Sequence, residues 1–420
     1  MKYKTIELSH TNEIIQTYGV NSLMAKVIES KKIDQEQFKS FMDPHLVYHD
    51  FSLFEEADET LERIEEAIAN KEKICIYGDY DCDGILATTI LVQAFHERGV
   101  KVGYHIPNRF TDGYGLNTTR VEQMAEKGYS LIITVDNGIK AFDAVEKAGE
   151  LGIDVIITDH HAFDGEVPVA YSIIHTKMSP KYPFKEICGG FIAYKLAAAL
   201  LKHHDPYLFT LASITTISDM MPLLDENRSL VRRGLQFMKQ YKYPSLELLK
   251  GSRDYDVTTI GFTIAPRINA FGRLPELVNP VYLVKYFLKE ADSAYLKKIS
   301  NYASKINSKR QSMTTSLYKE AVTDTSSSCL FYGSENMHEG LVGLVAGKYT
   351  REYEQPAFVM HYNPKEEIYK GSARGIDGFN IYNFFTHHEE LFVQYGGHAK
   401  AGGFTITKSN YPLVYDALMN

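Results

Sequence analysis

The chain has 420 residues, 44% of them hydrophobic and 23% charged, with a formal net charge of −8. That length predicts two or three domains, and the acidic balance argues against broad nonspecific nucleic-acid binding, though a local basic groove remains open. No apolar run approaches the ~18 residues of a membrane span: the longest, FIAYKLAAALL at 191–201, contains Lys195. The N-terminus has no signal-like apolar region. Cys75, Cys82, Cys188 and Cys329 form no CxxC pair, which fits a reduced compartment better than a disulfide scaffold or zinc site. These features predict a cytoplasmic protein with no membrane segment.

In chain order, residues 12–70 read as helices, with NSLMAKVIES and ETLERIEEAIANKEK carrying apolar residues at helical spacing. KICIYGD (73–79) predicts a strand, GILATTILVQAFHERG a helix ending at Gly99, and KVGYHIPN (101–108) a strand. VEQMAEKG reads as a helix, LIITVDNG (131–138) as a strand and AFDAVEKAGELG as a helix. DVIITDHH (154–161) and YSIIH (171–175) read as two further strands. Continuously apolar strands alternating with helices predict a parallel sheet covered on both faces. Residues 190–250 read as mostly helical, and 280–323 as one or two long helices between two lobes. TDTSSS (323–328) reads as a loop. CLFYG, PAFVMHY, YKGSARG and GGFTIT then read as strands, with GLVGLVAGKYTREY a helix among them. The expected fold class is α/β. A parallel-sheet domain with N-terminal helices spans 1–250, a helical connector 251–323, and a smaller α/β domain 324–420.

Ligands of open α/β sheets bind beyond the carboxyl ends of the strands. Asp79, Asp81 and Asp83 follow the first strand, Asp136 closes LIITVD, and Asp159, His160 and His161 close VIITDHH. All three clusters fall on one rim, and Asp219 in TTISDMMPL ends an apolar stretch able to bring it there. Crowded carboxylates raise each other's pKa, a penalty that a divalent cation removes. Oxygen ligands with one or two imidazoles suit Mn²⁺ or Mg²⁺ better than Zn²⁺ or Fe²⁺. So many acids point to two ions, an arrangement that clamps both oxygens of a phosphoryl displacement. A single aspartate after a strand is ordinarily a turn former or helix cap, and Asp83 before Gly84 fits that description by itself. Four clusters on one rim favour the metal. Cys82 reads as a packed thiol that alternates away from the aspartates, and Asp154 and Asp164 as surface or turn residues.

GDYDCDG, VDNG, TDHH and ISDMMPL resemble the four motifs of the DHH phosphoesterase superfamily. PNRFTDGYGL (107–116), YPFKEICGG (182–190), ENRSLVRRGL (226–235) and APRINAFGR (265–273) are similar to the RecJ-like single-strand exonucleases. HEGLVGLVAGK (338–348), GSARGIDGFNIY (371–382) and GGHAKAGGF (396–404) resemble the DHHA1 domain that accompanies DHH. The resemblance runs from about residue 20 to the end. It implies a DHH domain joined by the connector to a DHHA1 domain, with single-stranded DNA passing between the lobes. It also implies removal of mononucleotides from the 5′ end with two divalent cations, Mn²⁺ before Mg²⁺. Asp81, Asp83, Asp136, His160 and Asp219 match the family's metal ligands, and Asp79, Asp159 and His161 match supporting positions. The candidate metal set is therefore Asp79, Asp81, Asp83, Asp136, His160 and Asp219, and the candidate catalytic groups are His160, His161 and Asp136. His161 is expected to contact the scissile phosphate or orient a ligand.

Tyr77 stands where some superfamily members carry a histidine, and His175 stands in IIHTK where RecJ-like sequences often read VNP. Only about fifteen residues follow GGHAKAGGF, whereas full-length bacterial relatives continue into an OB-fold. The expectation is that this domain is absent and that tight strand binding depends on a partner. A single-strand binding protein or a helicase is implied by the resemblance alone.

Arginines fork onto phosphate oxygens. Arg109, Arg267, Arg273 and Arg374 lie in the motif segments, beside Asn269 and Ser372. The resemblance places Arg109, Asn269 and Arg273 along the strand, and Ser372 with Arg374 at a 5′-phosphate. GSARG is expected to be a glycine-flanked loop where backbone can approach phosphate. GGHAKAGG surrounds His398 and Lys400 with four glycines and reads either as an anion cradle or as a tight structural turn. The resemblance favours binding, with His398 in it. Lys305, Lys309 and Arg310 form a basic face on the connector, either solvated or lining a channel, and Tyr114 is a weak stacking candidate.

The leading expectation is a metal-dependent 5′→3′ exonuclease on single-stranded DNA, acting in repair or recombination. The alternative is a DHH phosphodiesterase on short oligoribonucleotides or cyclic dinucleotides. A non-catalytic scaffold is disfavoured because no main ligand position is lost.

Overall fold

A computed structural model of the chain describes residues 7–42, 46–113, 115–163, 165–321 and 327–419. Tyr114, Asp164, most of the expected TDTSSS loop and the boundary expected at 323/324 lie outside the described residues.

Five short strands form the first sheet: β1 (Ile74–Tyr77), β2 (Gly103–His105), β3 (Leu131–Val135), β4 (Asp154–Thr158) and β5 (Ser172–Ile174). Their order is β2-β1-β3-β4-β5, every pair parallel. Period-two alternation sends Ile74, Ile76, Ile133 and Ile156 into the core beneath helices Cys82–Glu97 and Gly189–Leu201. Cys75, Tyr77, Ile132 and Ile157 point to the opposite core, with Val121 and Val145 of helices Thr118–Glu126 and Phe142–Glu150. Because β1 pairs with both β2 and β3, the chain changes its direction of growth between β1 and β3. That switch point is where open α/β sheets bind ligands.

Helices Gly189–Leu201, Pro206–Ser218, Asp225–Tyr241 and Pro244–Lys250 fill 189–250. The segment expected as a connector starts with Val257–Thr259, passes through a π turn at Ile260–Ile264, and continues as Ala265–Arg273. Helix Val281–Phe287 follows, and then the 28-residue helix Ser293–Glu320, about 42 Å long at 1.5 Å per residue.

The second sheet holds β6 (Leu330–Ser334), β7 (Ala357–Asn363), β8 (Ile368–Arg374), β9 (Gln394–His398) and β10 (Ala401–Thr407) in the order β6-β7-β8-β10-β9. Only β6 and β7 are parallel. Two expectations change here. Ser372 and Arg374 belong to strand β8, not a loop. Gly371 is there because a Cβ would sit 2.5 Å from both Met360 Cγ and Phe404 Cζ. GGHAKAGG is the β9–β10 hairpin, with Gly396 opposite Gly403 and His398 opposite Ala401, so its glycines lie in paired strands. Among the described residues, no helix is long and apolar enough to cross a membrane.

Candidate active site

Strand β1 ends at Tyr77, and the aspartates that follow form a strand–turn–helix corner. Asp81 caps helix Cys82–Glu97, its Oδ1 accepting from the N–H groups of Asp83 (2.9 Å) and Gly84 (3.1 Å). The cap is therefore Asp81, not Asp83. Cys82 is buried as the first residue of this helix, not by strand alternation. Asp83 instead accepts from Gly189 N and Gly190 N, at 2.8 Å each, at the start of helix Gly189–Leu201. A Cβ on Gly189 would sit 2.5 Å from Asp136 Cβ, and one on Gly190 2.5 Å from the Thr215 side chain. Only glycines let this helix N-terminus reach the acids. Asp136 follows β3 with φ +62°, a left-handed conformation that is uncommon outside glycine and worth noting at a functional site. Asp219 ends helix Pro206–Ser218.

His160 joins these elements. Its Nε2 lies 3.1 Å from Asp136 Oδ1, 3.6 Å from Asp219 Oδ2 and 3.8 Å from Asp83 Oδ2. Ligand atoms of three sets gather within 4.8 Å of one another: Asp79/Asp81/Asp136, Asp83/His160/Asp219 and Asp136/His160/His161. Asp159 stands apart. Its oxygens accept from the backbone N–H groups of Ile139, His160 and His161 and pair with His161 Nδ1 at 2.7 Å. His175 accepts from Lys177 N through Nδ1, so its Nε2–H donates to the His161 carbonyl. Tyr77 is buried and donates to the Gly115 carbonyl, a structural role.

Burial, then repulsion from Asp81, pushes Asp79 up to about 8 and Asp83 up to about 6. Burial and the charges of Asp83 and Asp81 raise Asp219 to about 8 and Asp136 well above the usual carboxylate range. Burial and the His161 charge lower His160 to about 3. Burial opposes charge on His161, but Asp159 prevails and raises it to about 9. Asp79 Oδ1 and Asp219 Oδ2 are buried with no hydrogen bond. Burial pushes the nearby Cys82 and Cys188 thiols well above their usual range. A crowded oxygen set with neutral imidazole and no thiolate fits Mn²⁺ or Mg²⁺. A separate cluster of Glu97, His203 and Asp205 is bridged by Lys289, 2.7 Å from both acids, and is an ion-pair node.

Arginines face the acids. Arg109 lies over the Tyr80 ring at 4.2 Å and helps to offset the raised pKa of Asp79. Arg273 is lowered to about 9 by burial and then by Arg109, Arg310 and Arg374, with Asp81 opposing. The Nε atoms of Arg109 and Arg310 are buried without a hydrogen bond. Arg374 donates to Ser372 Oγ at 2.7 Å, beside the first turn of helix Val342–Tyr353. A Cβ on Gly343 there would lie 2.9 Å from Arg374 Nη2 and 3.1 Å from Ser372 Oγ. Asn269 Oδ1 accepts from Cys82 N at 2.7 Å. Exposed His398 lies close enough to His161 for their charges to interact. Arg267 turns away to the Leu249 carbonyl, Lys400 pairs with Asp377, and Lys305 and Lys309 face solvent. Sequence reasoning singled out neither Gly189, Gly190 nor Gly343 as site residues, although all three lie inside the motifs it quoted.

The fold and site define a two-lobed α/β protein with a candidate divalent-cation centre at a sheet switch point and a guanidinium cluster opposite. Residues 73–218 match the DHH family, N-terminal domain, and residues 322–419 the DHHA1 domain. The single-stranded-DNA-specific exonuclease RecJ of Bacillus subtilis is 37% identical over 365 residues, 84% of this chain and 46% of the relative. That of Dickeya dadantii is 30% identical over 399 residues, covering 86% and 68%. The crystal structure of RecJ in complex with Mn²⁺ from Thermus thermophilus superposes with a TM-score of 0.83 at 25% identity, covering 99% of this chain and 61% of that one. The chain belongs to the RecJ-like family of DHH–DHHA1 proteins. It spans about half the length of the Bacillus relative.

Proposed function

We propose that the chain is a divalent-metal-dependent phosphodiesterase that removes mononucleotides from the 5′ end of single-stranded DNA. The observation that carries this reading is a carboxylate–imidazole cluster with Arg109 beside Asp79 and Arg273 beside Asp81, and with Arg310 and Arg374 within charge range of Arg273. Asp79, Asp81, Asp83, Asp136, His160 and Asp219 would hold two cations. Bound there, the cations would neutralise the acids, draw charge from the scissile phosphate and lower the pKa of the attacking water. Asp83 is fixed by two backbone donors and offers its oxygens in one orientation. His161, held by Asp159, presents a cationic ring to the scissile phosphate, and His398 approaches it from the β9–β10 hairpin.

Ser372, Arg374 and the N-terminus of helix Val342–Tyr353 form a site suited to a terminal phosphate, because helix N–H groups and a guanidinium both favour a dianion. Arg109, Asn269 and Arg273 would bind along the strand. In this reading residues 1–250 carry the chemistry, 251–323 connect, and 324–420 hold the 5′ end. A single-strand binding protein or a helicase would deliver the strand. The test compares kcat/KM on 5′-phosphorylated and 5′-hydroxyl strands in Mn²⁺. Wild type should prefer the phosphate, and Arg374→Ala should remove most of that preference. An equal loss on both strands would contradict the assignment.

A further inference from the structure

The helix that enters the site with Arg273 has one accessible stripe. Phe262, Pro266, Asn269 and Arg273 recur at spacings of four, three and four, which places them on one helical face. The positions between them, Thr263, Ile264, Ala265, Ile268, Ala270, Phe271 and Gly272, are buried, and Arg267 is turned aside to Leu249. At one end Arg273 feels the charges of Asp81, Arg109, Arg310 and Arg374, and Asn269 holds the N–H of Cys82. At the other end Phe262 is 81% exposed, in the π turn Ile260–Ile264. Such turns are rare and recur at functional sites. Helix Pro206–Ser218, which ends at the metal-set residue Asp219, packs against this turn. Met220, the residue after Asp219, is 88% exposed with φ +58°.

We infer that this stripe carries the strand downstream of the cleaved nucleotide, and that Phe262 is a stacking platform for a nucleobase. The inference rests on the function proposed above and adds to it a subsite outside the chemistry. The order of groups supports it: a guanidinium for phosphate at the inner end, then an amide, then a proline and an open aromatic ring. Single-strand grooves combine backbone charge with aromatic faces in this way, and stacking of that kind tolerates any base. An exposed phenylalanine at the outer end of a stripe that starts in the cleft has no packing role to explain it. The eleven residue steps from Phe262 to Arg273 span roughly 16 Å, a distance that a strand crosses only when it is several nucleotides long.

The chain contains no tryptophan, so Phe262→Trp places a single indole at the proposed platform. In full-length protein that also carries Asp136→Asn to block turnover, 5′-phosphorylated oligothymidylates of two to twelve nucleotides are titrated with Mn²⁺. Binding is followed in parallel by the anisotropy of a 3′ dye. The expected result is saturable quenching of the indole that appears as the strand lengthens beyond a few nucleotides, and none from a bound dinucleotide. In active protein, Phe262→Ala should lower the ratio of kcat/KM on a twenty-nucleotide strand to that on a dinucleotide by roughly tenfold. Strands that bind by anisotropy with no length-dependent quenching, and an unchanged ratio for Phe262→Ala, would overturn the stripe while leaving the functional reading intact. No binding of any strand would overturn both.

Discussion

Asp136 makes the sharpest residue-scale case. Its left-handed backbone and its place in two ligand sets ask for a side chain that tolerates positive φ and offers an oxygen. Asparagine tolerates that backbone better than alanine does. Asp136→Asn should therefore fold normally, shown by an unchanged circular-dichroism spectrum, while kcat falls roughly 10²–10³-fold, the scale of losing one preorganised electrostatic group. The acids also set a pH dependence. A carboxyl raised on folding binds its proton more tightly in the folded chain, so its contribution is complete below the ordinary value of about 4 and is lost as pH climbs through the raised one. With Asp79 and Asp219 near 8, metal-free protein should lose thermal stability between about pH 4 and pH 8. Saturating Mn²⁺ should reverse the loss at the upper end. A flat profile without metal would contradict the crowding. The gathering of acids and imidazoles was legible in the sequence because their chemistry resides in side chains. Gly189 and Gly190 were not, because their role is the absence of one. Arg310 was left undecided because its role depends on how a 28-residue helix is rotated about its axis.

At the scale of elements, the first sheet was legible and the second only in part. Strands β1, β3 and β4 are largely apolar runs between turn residues, so both their identity and their common rim followed. Strand β9 reads Gln-Tyr-Gly-Gly-His, a sequence with little strand signal, and its pairing comes from the hairpin register with β10. Tertiary contact also decides Gly371 of β8, in a segment that suggested a phosphate loop, because Met360 and Phe404 fill the space above it. The helix starting at Gly189 gives a test at this scale. Gly190→Ala would press a methyl group against Thr215 and Asp83, costing about 1–3 kcal/mol as overpacking does. Thermal melts should show that loss together with a fall in Mn²⁺ affinity. Gly343→Ala should leave Mn²⁺ affinity alone and weaken the preference for a 5′-phosphate, because its methyl group meets Arg374 and Ser372 instead.

At the scale of the molecule, Arg273 lies within charge range of Asp81 in one lobe, of Arg374 on the sheet of the other, and of Arg310 on the long helix. A net charge of −8 hides this local basic surface, which is why composition spoke only against broad binding. Each phosphate contact on a single strand contributes about −0.7 to the slope of log affinity against log salt, so Arg374→Ala should flatten that slope by about 0.7. The central claim is cleavage from a 5′ end by metal chemistry. It is tested most directly with a long single-stranded DNA labelled at either end, incubated with the protein and Mn²⁺ beside a matched RNA and a dinucleotide. The account predicts immediate release of 5′-labelled mononucleotide, a 3′-labelled strand that shortens progressively, and no release in chelator. Activity confined to the dinucleotide or the RNA, or product that appears first from the 3′ label, would contradict it.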